Sequence, residues 1–157
     1  MKRKISFVLV AFLILLGSAI SDISSAMQPN TPAPKKTPVL ITVPFGYTSG
    51  AFPDITFTGP FFISGAFYAS GVAVMVAHLN ANAMTYHCVW TLTDNNGDAF
   101  VLKEECEMAT NPIKGQWQIV SGTGIYANLR GNGSARMPDA GDVNIYEEDL
   151  TGVIYSQ

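Results

Sequence analysis

The segment from Met84 to Met108 constrains the fold more than any other part of this 157-residue chain. Apolar and polar residues alternate along its two arms, and Asp94-Asn95-Asn96-Gly97-Asp98 separates them. This pattern predicts a β-hairpin, because alternation with period two is typical of strands and Asn, Asp and Gly favour tight turns. The even-numbered residues of both arms are expected on one face: Met84, Tyr86, Cys88, Trp90, Leu92, Phe100, Leu102, Glu104, Cys106 and Met108.

One register of this hairpin satisfies several requirements together. It places Cys88 opposite Cys106, Trp90 opposite Glu104, and Leu92 opposite Leu102. A slip by one residue would turn one arm over and separate the apolar side chains. The sequence therefore predicts that the two cysteines face each other.

The N-terminal residues have the three parts of a secretory signal peptide. A basic run, Met1-Lys2-Arg3-Lys4, precedes the apolar segment Ile5 to Ile20, and Ser24-Ser25-Ala26 offers small residues at a cleavage site. Residues 1–26 are therefore predicted as a signal peptide, with cleavage after Ala19 as an alternative. An uncleaved anchor is the other interpretation, although the apolar segment is shorter than the roughly 20 residues that span a bilayer. We expect a secreted or periplasmic protein with no membrane span after cleavage.

Cleavage at residue 26 leaves six basic and eleven acidic residues, a net charge of −5. No basic patch remains, which argues against nucleic acid as a partner. Both cysteines lie in the exported part, and an oxidising compartment favours a disulfide between Cys88 and Cys106.

Residues 27–38 contain four prolines and no apolar pattern, which predicts an extended linker before a single domain over residues 39–157. That domain reads as short apolar stretches between Gly, Pro, Asn and Asp breaks. Strands are predicted at 38–45, 54–69 with a break at Gly59-Pro60, 71–78, the two hairpin arms, 116–121, 129–137 and 143–155, with a helical turn at 124–128.

Eight antiparallel strands with short connections predict an all-β fold, an up-and-down barrel whose closure removes exposed edges. A two-sheet sandwich is the alternative. The outer face of the hairpin carries Lys103, Glu105 and Glu107, which argues against a barrel surrounded by lipid. A barrel of this size is filled by its side chains or holds one small ligand.

Residues 121–133 read S-G-T-G-I-Y-A-N-L-R-G-N-G. This segment resembles the S-G-T-G-x-Y-x-x-L-x-G-x-G segment of small secreted barrels of the allene oxide cyclase and dirigent superfamily, and Thr151–Ile154 resembles their last strand. The resemblance implies an eight-stranded barrel, in several members of which an apolar molecule lies inside. It implies activity without metal or nucleotide, such as cyclisation of a fatty-acid epoxide or control of radical coupling. No motif transfers the functional residues of those proteins to this chain.

Gly131 and Gly133 are expected to share a face with Leu129 and Ala135. Glycine inside a barrel either lets a strand bend or leaves room for a ligand. The ligand interpretation makes both glycines part of a binding site with Tyr86, Trp90 and Leu102, and it requires open space beside them.

Glu104 is the candidate catalytic residue. It lies among Phe100, Leu102, Cys106 and Met108 on the predicted inner face. A carboxyl group removed from water favours its protonated form and can act as a general acid or base. A carboxyl group at the barrel rim, or one held by Tyr or Trp for structural reasons, is the alternative.

No metal site or cofactor is predicted from spacing. Cys88, Cys106, His78 and His87 contain no close pair of the kind that zinc sites use. The acidic run Glu147-Glu148-Asp149 is interpreted as a solvated face, because three neighbours on a strand cannot aim at one calcium ion.

The sequence therefore predicts an exported barrel that binds a small apolar molecule in its interior. A cofactor-free isomerase or cyclase using Glu104 is one alternative, and a structural or adhesive surface protein is another. A homo-oligomer is compatible with the sequence.

Overall fold

A computed structural model describes residues 33–138 and 146–156. The predicted signal peptide and its cleavage sites lie outside the described residues, as do residues 27–32 of the predicted linker. Within the described residues, no helix is long and apolar enough to cross a membrane.

Eight antiparallel strands form a closed barrel in which each strand pairs with the next and β8 pairs with β1. The strands are β1 Thr37–Ala51, β2 Asp54–Gly65, β3 Ala69–Asn80, β4 Thr85–Asp94, β5 Ala99–Glu107, β6 Ile113–Gly122, β7 Leu129–Met137 and β8 Tyr146–Ser156. A 3-10 helix at Gly124–Tyr126 connects β6 to β7. The predicted up-and-down barrel is confirmed.

Alternation along the strands fills the interior, because successive side chains point to opposite faces. On β1, Val39, Ile41, Val43 and Phe45 are all buried. On β4 and β5, even-numbered residues point inward and odd-numbered residues point outward, as predicted. Met84 is an exception, since it precedes β4, has a φ of 52° and is exposed.

Several boundaries differ from the prediction. The strand β1 begins at Thr37, so the last two residues of the predicted linker belong to the barrel. The strand β2 continues through Gly59-Pro60 without a break and ends at Gly65. Phe67 and Tyr68, predicted in the second strand, therefore lie in the loop before β3.

The predicted register of the central hairpin is wrong by two residues. Cys88 lies opposite Glu104, Tyr86 opposite Cys106, and Trp90 opposite Leu102. The loop Asp94–Asp98 sets this register, because Asp94 Oδ1 accepts the backbone N–H groups of Asn96 at 2.8 Å and Asp98 at 3.1 Å. A shift of two keeps every side chain on its predicted face.

The predicted disulfide is not present. Cys88 and Cys106 are both buried and free. They are displaced diagonally in the hairpin rather than directly opposite, and the side chain of Glu104 contacts both sulfurs.

Candidate functional site

Among the described residues, the carboxyl groups of Glu104 on β5 and Glu148 on β8 lie inside the barrel. The residues are 3% and 0% exposed. The prediction that Glu147-Glu148-Asp149 forms a solvated face is wrong for Glu148, while Glu147 is exposed. Sequence analysis missed Glu148 although it has the same parity as the buried Leu150 and Ile154 on its strand.

The Glu104 carboxyl group lies within hydrogen-bonding distance of three inward-facing side chains. The Trp90 indole donates to Oε2 at 2.9 Å, the Cys106 thiol donates to Oε1 at 2.7 Å, and the Cys88 thiol lies 3.4 Å from Oε2. Gly115 makes room for this cluster, since a β-carbon there would overlap the Cys106 sulfur. The predicted proximity of Glu104 and Trp90 is therefore real, although they are not directly opposite.

Glu148 differs from Glu104 because neither of its buried oxygens has a well-formed hydrogen-bond partner among residues 33–138 and 146–156. Burial raises the pKa of Glu148 well above its ordinary value of 4.5, and the nearby carboxyl group of Glu104 raises it further. The Tyr86 hydroxyl is also buried without a partner. Its pKa is raised by burial and then by Glu148 and Glu104, so the phenol stays protonated.

Both thiols share this environment. Burial, followed by the charge of Glu104, raises the pKa values of Cys88 and Cys106 above the ordinary value of 9.0. One ligand atom each from Glu104, Cys106 and Glu148 lies within 4.8 Å of the others, a separation at which the three groups could hold a metal ion. The strand spacing gave no indication of this convergence.

The residues predicted to line an interior ligand site are packed instead. Tyr86, Trp90 and Leu102 are buried in the core. A β-carbon on Gly131 would approach Ile154 Cγ2 to 2.6 Å, and one on Gly133 would overlap the backbone of Thr151 and Gly152. The open space expected beside the two glycines is therefore absent, and they serve the close approach of β7 to β8.

A pocket of about 510 Å³ lies instead at the end of the barrel where the β2–β3, β4–β5 and β6–β7 loops meet. Its apolar wall includes Phe67, Tyr68, Ile125, Tyr126 and Leu129, and we call it the mouth pocket. Tyr68 is 86% and Ile125 is 73% exposed. Exposed apolar side chains at a concave site are typical of ligand binding.

An aromatic series connects the mouth pocket to the core. The ring of Tyr126 lies 5.8 Å from that of Phe67 and 5.2 Å from that of Phe100. Phe100 in turn lies 6.4 Å from Phe61, which is fully buried. The floor of the pocket is therefore part of the rigid core, while Tyr68 and Ile125 project from loops.

A polar pair lies beside this floor. The Tyr126 hydroxyl donates to Asp94 Oδ2 at 3.0 Å. Burial alone would raise the pKa of Asp94, but hydrogen bonds from the Asn96 backbone, Tyr126 and the Asp98 backbone lower it. Burial and the interaction with Asp94 raise the pKa of Tyr126 to about 12. Asp94 is therefore anionic and Tyr126 neutral over the physiological range.

A second concavity, of about 930 Å³, lies on the outer face of the sheet. Its rim carries outward-facing polar side chains, among them Lys103, Gln116, Gln118 and Arg130. His78 and His87 face each other across β3 and β4 on the same surface. His78 Nδ1 lies 2.8 Å from Asp54 Oδ1, and His87 Nε2 lies 4.0 Å from Glu105 Oε1.

The sequence and the structure were compared with known proteins. No protein-family profile matches the sequence, and no curated protein matches it. Among solved structures, a pterocarpan synthase dirigent protein is similar at 15% sequence identity with a TM-score of 0.48, over 87% of this chain and 100% of that chain. The strand pairing itself establishes the eight-stranded barrel that the resemblance to allene oxide cyclase and dirigent proteins predicts.

Proposed function

We propose that this protein is an exported barrel that binds a small, mainly apolar molecule at the mouth pocket rather than deep in the interior. The observation that supports this most is the position of Tyr68 and Ile125, which stand exposed over a concave site of about 510 Å³. A ligand between them would remove apolar surface from water at about 25 cal/mol per Å². The support for export is the N-terminal sequence pattern.

The polar groups of the mouth pocket suit orientation better than catalysis. A general acid or base works best with a pKa near the operating pH. The pKa of Asp94 is lowered and that of Tyr126 is about 12, so neither exchanges a proton readily near neutrality. Asn95, Asn96 and Ser70 lie at the same rim and offer hydrogen-bonding groups to a polar end of the ligand.

The alternative of a cofactor-free isomerase or cyclase depends on Glu104. The described residues bury this carboxyl group under Trp90, Cys88 and Cys106, and a substrate would have to displace part of the core to reach it. The alternative of a purely structural surface protein requires the mouth pocket to bind nothing. Binding at the mouth therefore distinguishes the proposal from both.

The test uses N-phenyl-1-naphthylamine, a neutral apolar dye whose fluorescence rises on leaving water. We expect saturable binding to the mature protein, weakened about tenfold by Tyr68→Ser or Ile125→Ser, because an exposed anchor contributes roughly 1.4 kcal/mol. Tyr47→Ser is the matched control, since Tyr47 is an exposed aromatic residue on β1 outside this pocket. Equal affinity in all three variants, or no saturable binding, would contradict the proposal.

Export is tested separately. Expression of the full chain with its first 26 residues should release a protein whose new N-terminus follows Ala26 or Ala19. Retention of Met1 in the recovered protein would contradict cleavage without affecting the binding proposal.

A further inference from the structure

The interior carboxyl groups have no basic partner within the described residues. Every lysine, arginine and histidine of residues 33–138 and 146–156 is at least partly exposed. Lys103 on β5 and Lys114 on β6 are exposed on the outer face of the barrel. A buried charge without a partner is costly and is normally paired, neutralised or bound to a metal. The pair Glu104 and Glu148 therefore requires either protons or a cation that the chain itself does not supply.

Within the described residues, the hydrogen bonds of this cluster leave three buried oxygen atoms without a well-formed partner. In the part of the chain that the structure describes, no group forms a hydrogen bond of good geometry with either oxygen of the fully buried Glu148. The Tyr86 hydroxyl, on the strand opposite Cys106, is also buried and unpartnered, and it lies close to Cys106 and Glu148. Glu104, Trp90 and Tyr86 lie close to the Glu148 carboxyl group, but none of them forms a hydrogen bond of good geometry with it. Buried polar groups are almost always satisfied in folded proteins, so these atoms point to a missing partner.

The chemistry of the donors limits which ion fits. Carboxylates are hard ligands and thiolates are soft ligands, and a mixed set suits a borderline ion. Zinc accepts both, with bonds of about 2.3 Å to sulfur and about 2.0–2.2 Å to carboxylate oxygen. At these bond lengths, the ligand atoms of one zinc ion lie about 3.5 Å apart. The three groups here offer atoms within 4.8 Å of one another, and Cys106 Sγ lies 2.7 Å from Glu104 Oε1, so this pair must separate while the others close around the ion.

We propose that Glu104, Cys106 and Glu148 form a buried site for a divalent transition-metal ion of the zinc class. When the ion binds, Cys106 releases its proton to solvent and binds as a thiolate. The ion then offsets two of the three negative charges of its ligands, and the neutral Tyr86 hydroxyl can donate a hydrogen bond to the third. The Tyr86 hydroxyl and the Cys88 thiol border the site, and Gly115 makes room for the Cys106 sulfur. This site is separate from the mouth pocket and does not depend on the proposed function.

The first test measures metal content. The full chain is unfolded in denaturant with a chelator, refolded with or without zinc chloride, desalted and analysed by elemental mass spectrometry. We expect one zinc ion per chain in the wild type and at least a tenfold lower content in Glu148→Gln. Glu147→Gln is the matched control, because Glu147 is the exposed neighbour on the same strand, and it should retain the ion.

Three results of this experiment would overturn the proposal. The first is a wild type that retains no zinc, which would assign the carboxyl groups to protonation alone. The second is equal zinc content in Glu148→Gln and Glu147→Gln. The third is zinc that survives Glu148→Gln but is lost in His87→Ala, which would place the ion on the outer face.

The second test identifies the sulfur ligand and remains informative if Glu148→Gln does not fold. Refolding with cobalt should produce a near-ultraviolet sulfur-to-cobalt charge-transfer band in the wild type. We expect Cys106→Ser to abolish that band and Cys88→Ser to keep it. Absence of the band in the wild type, or its loss only in Cys88→Ser, would overturn the assignment of Cys106.

Discussion

The barrel buries an acid beside a tyrosine in two places, and it treats the two pairs differently. At the mouth, Asp94 accepts hydrogen bonds from Tyr126 and from two backbone N–H groups. In the interior, the side-chain oxygens of Glu148 and Tyr86 have no well-formed hydrogen-bond partner among the described residues. The cause lies in the elements that carry the acids. A turn leaves backbone N–H groups free for a nearby carboxylate, whereas the N–H groups of a strand in the barrel are used by the ladder.

The two acid–tyrosine pairs therefore have different effects on the stability of the barrel. The Asp94–Tyr126 pair is complete, so it stabilises the floor of the mouth pocket. The Glu148–Tyr86 pair is incomplete and costs stability unless a proton or a metal ion compensates. Removing one hydroxyl or one charge at a time should therefore have opposite effects at the two sites.

Tyr126→Phe should have the largest effect on stability. It removes the donor to a buried carboxylate, and a hydrogen bond to a charged group contributes about 1.5–3 kcal/mol. We expect the free energy of unfolding from urea titration to fall by that amount. A loss below about 0.5 kcal/mol would mean that the pair is solvated and does not stabilise the mouth.

The pH dependence of stability should differ in sign between the two acids. The pKa of Glu148 is raised on folding, so above pH 4.5 the native state binds more protons than the unfolded state. The free energy of unfolding therefore falls as the pH rises from 4.5, by at most about 1.4 kcal/mol per pH unit. The pKa of Asp94 is lowered from 3.8, so its contribution is lost as the pH falls below that value.

Urea titrations of chelator-treated protein across this range check the signs. Glu148→Gln should remove the decline above pH 4.5, and Glu147→Gln should keep it. A decline that persists in Glu148→Gln would assign it to another group.

Glu148→Gln should itself stabilise the chelator-treated protein at pH 7 by about 1 kcal/mol, because a neutral amide replaces a carboxyl group that is buried without a partner. The amide can also donate a hydrogen bond toward Glu104. Glu147→Gln should change the unfolding midpoint little. Destabilisation by Glu148→Gln alone would show that the carboxyl group has a partner that stabilises it.

Tyr86→Phe should have the smallest effect, leaving the stability of the metal-free protein unchanged or higher by about 0.5 kcal/mol, since it removes an unpartnered hydroxyl. Comparing Tyr86→Phe with Tyr126→Phe therefore distinguishes the interior from the mouth of the barrel, because the same substitution is made at both. Equal losses in the two variants, measured by urea titration under one set of conditions, would erase the difference between them.

The sequence predicts the barrel because its signal is local. Alternation along β1 and β4 and the glycine-rich β7 each define a strand and a face within about ten residues. The alternation of apolar and polar residues does not determine the register of the central hairpin. It depends on how Asp94 accepts the N–H groups of its own loop, and a shift of two residues leaves every face unchanged.

The sites were harder to predict because they join distant parts of the chain. Glu104 was found from its apolar neighbours on β5, but Glu148 was hidden between two other acidic residues on β8. The mouth pocket combines Tyr68 of the β2–β3 loop, Asp94 at the end of β4 and Ile125 of the 3-10 helix, which are far apart in the sequence. The closure of the barrel brings these residues together, and local sequence patterns do not predict which residues meet.

Chemical-shift mapping tests binding at the mouth pocket most directly. The ¹⁵N-labelled mature protein is titrated with N-phenyl-1-naphthylamine, and backbone amide shifts are followed. We predict that the largest shifts fall in the loops around Tyr68, Asn96 and Ile125, with small shifts at Gln116 and Arg130 on the outer face. Shifts confined to the outer face, or no shifts at saturating dye, would contradict the proposed binding site.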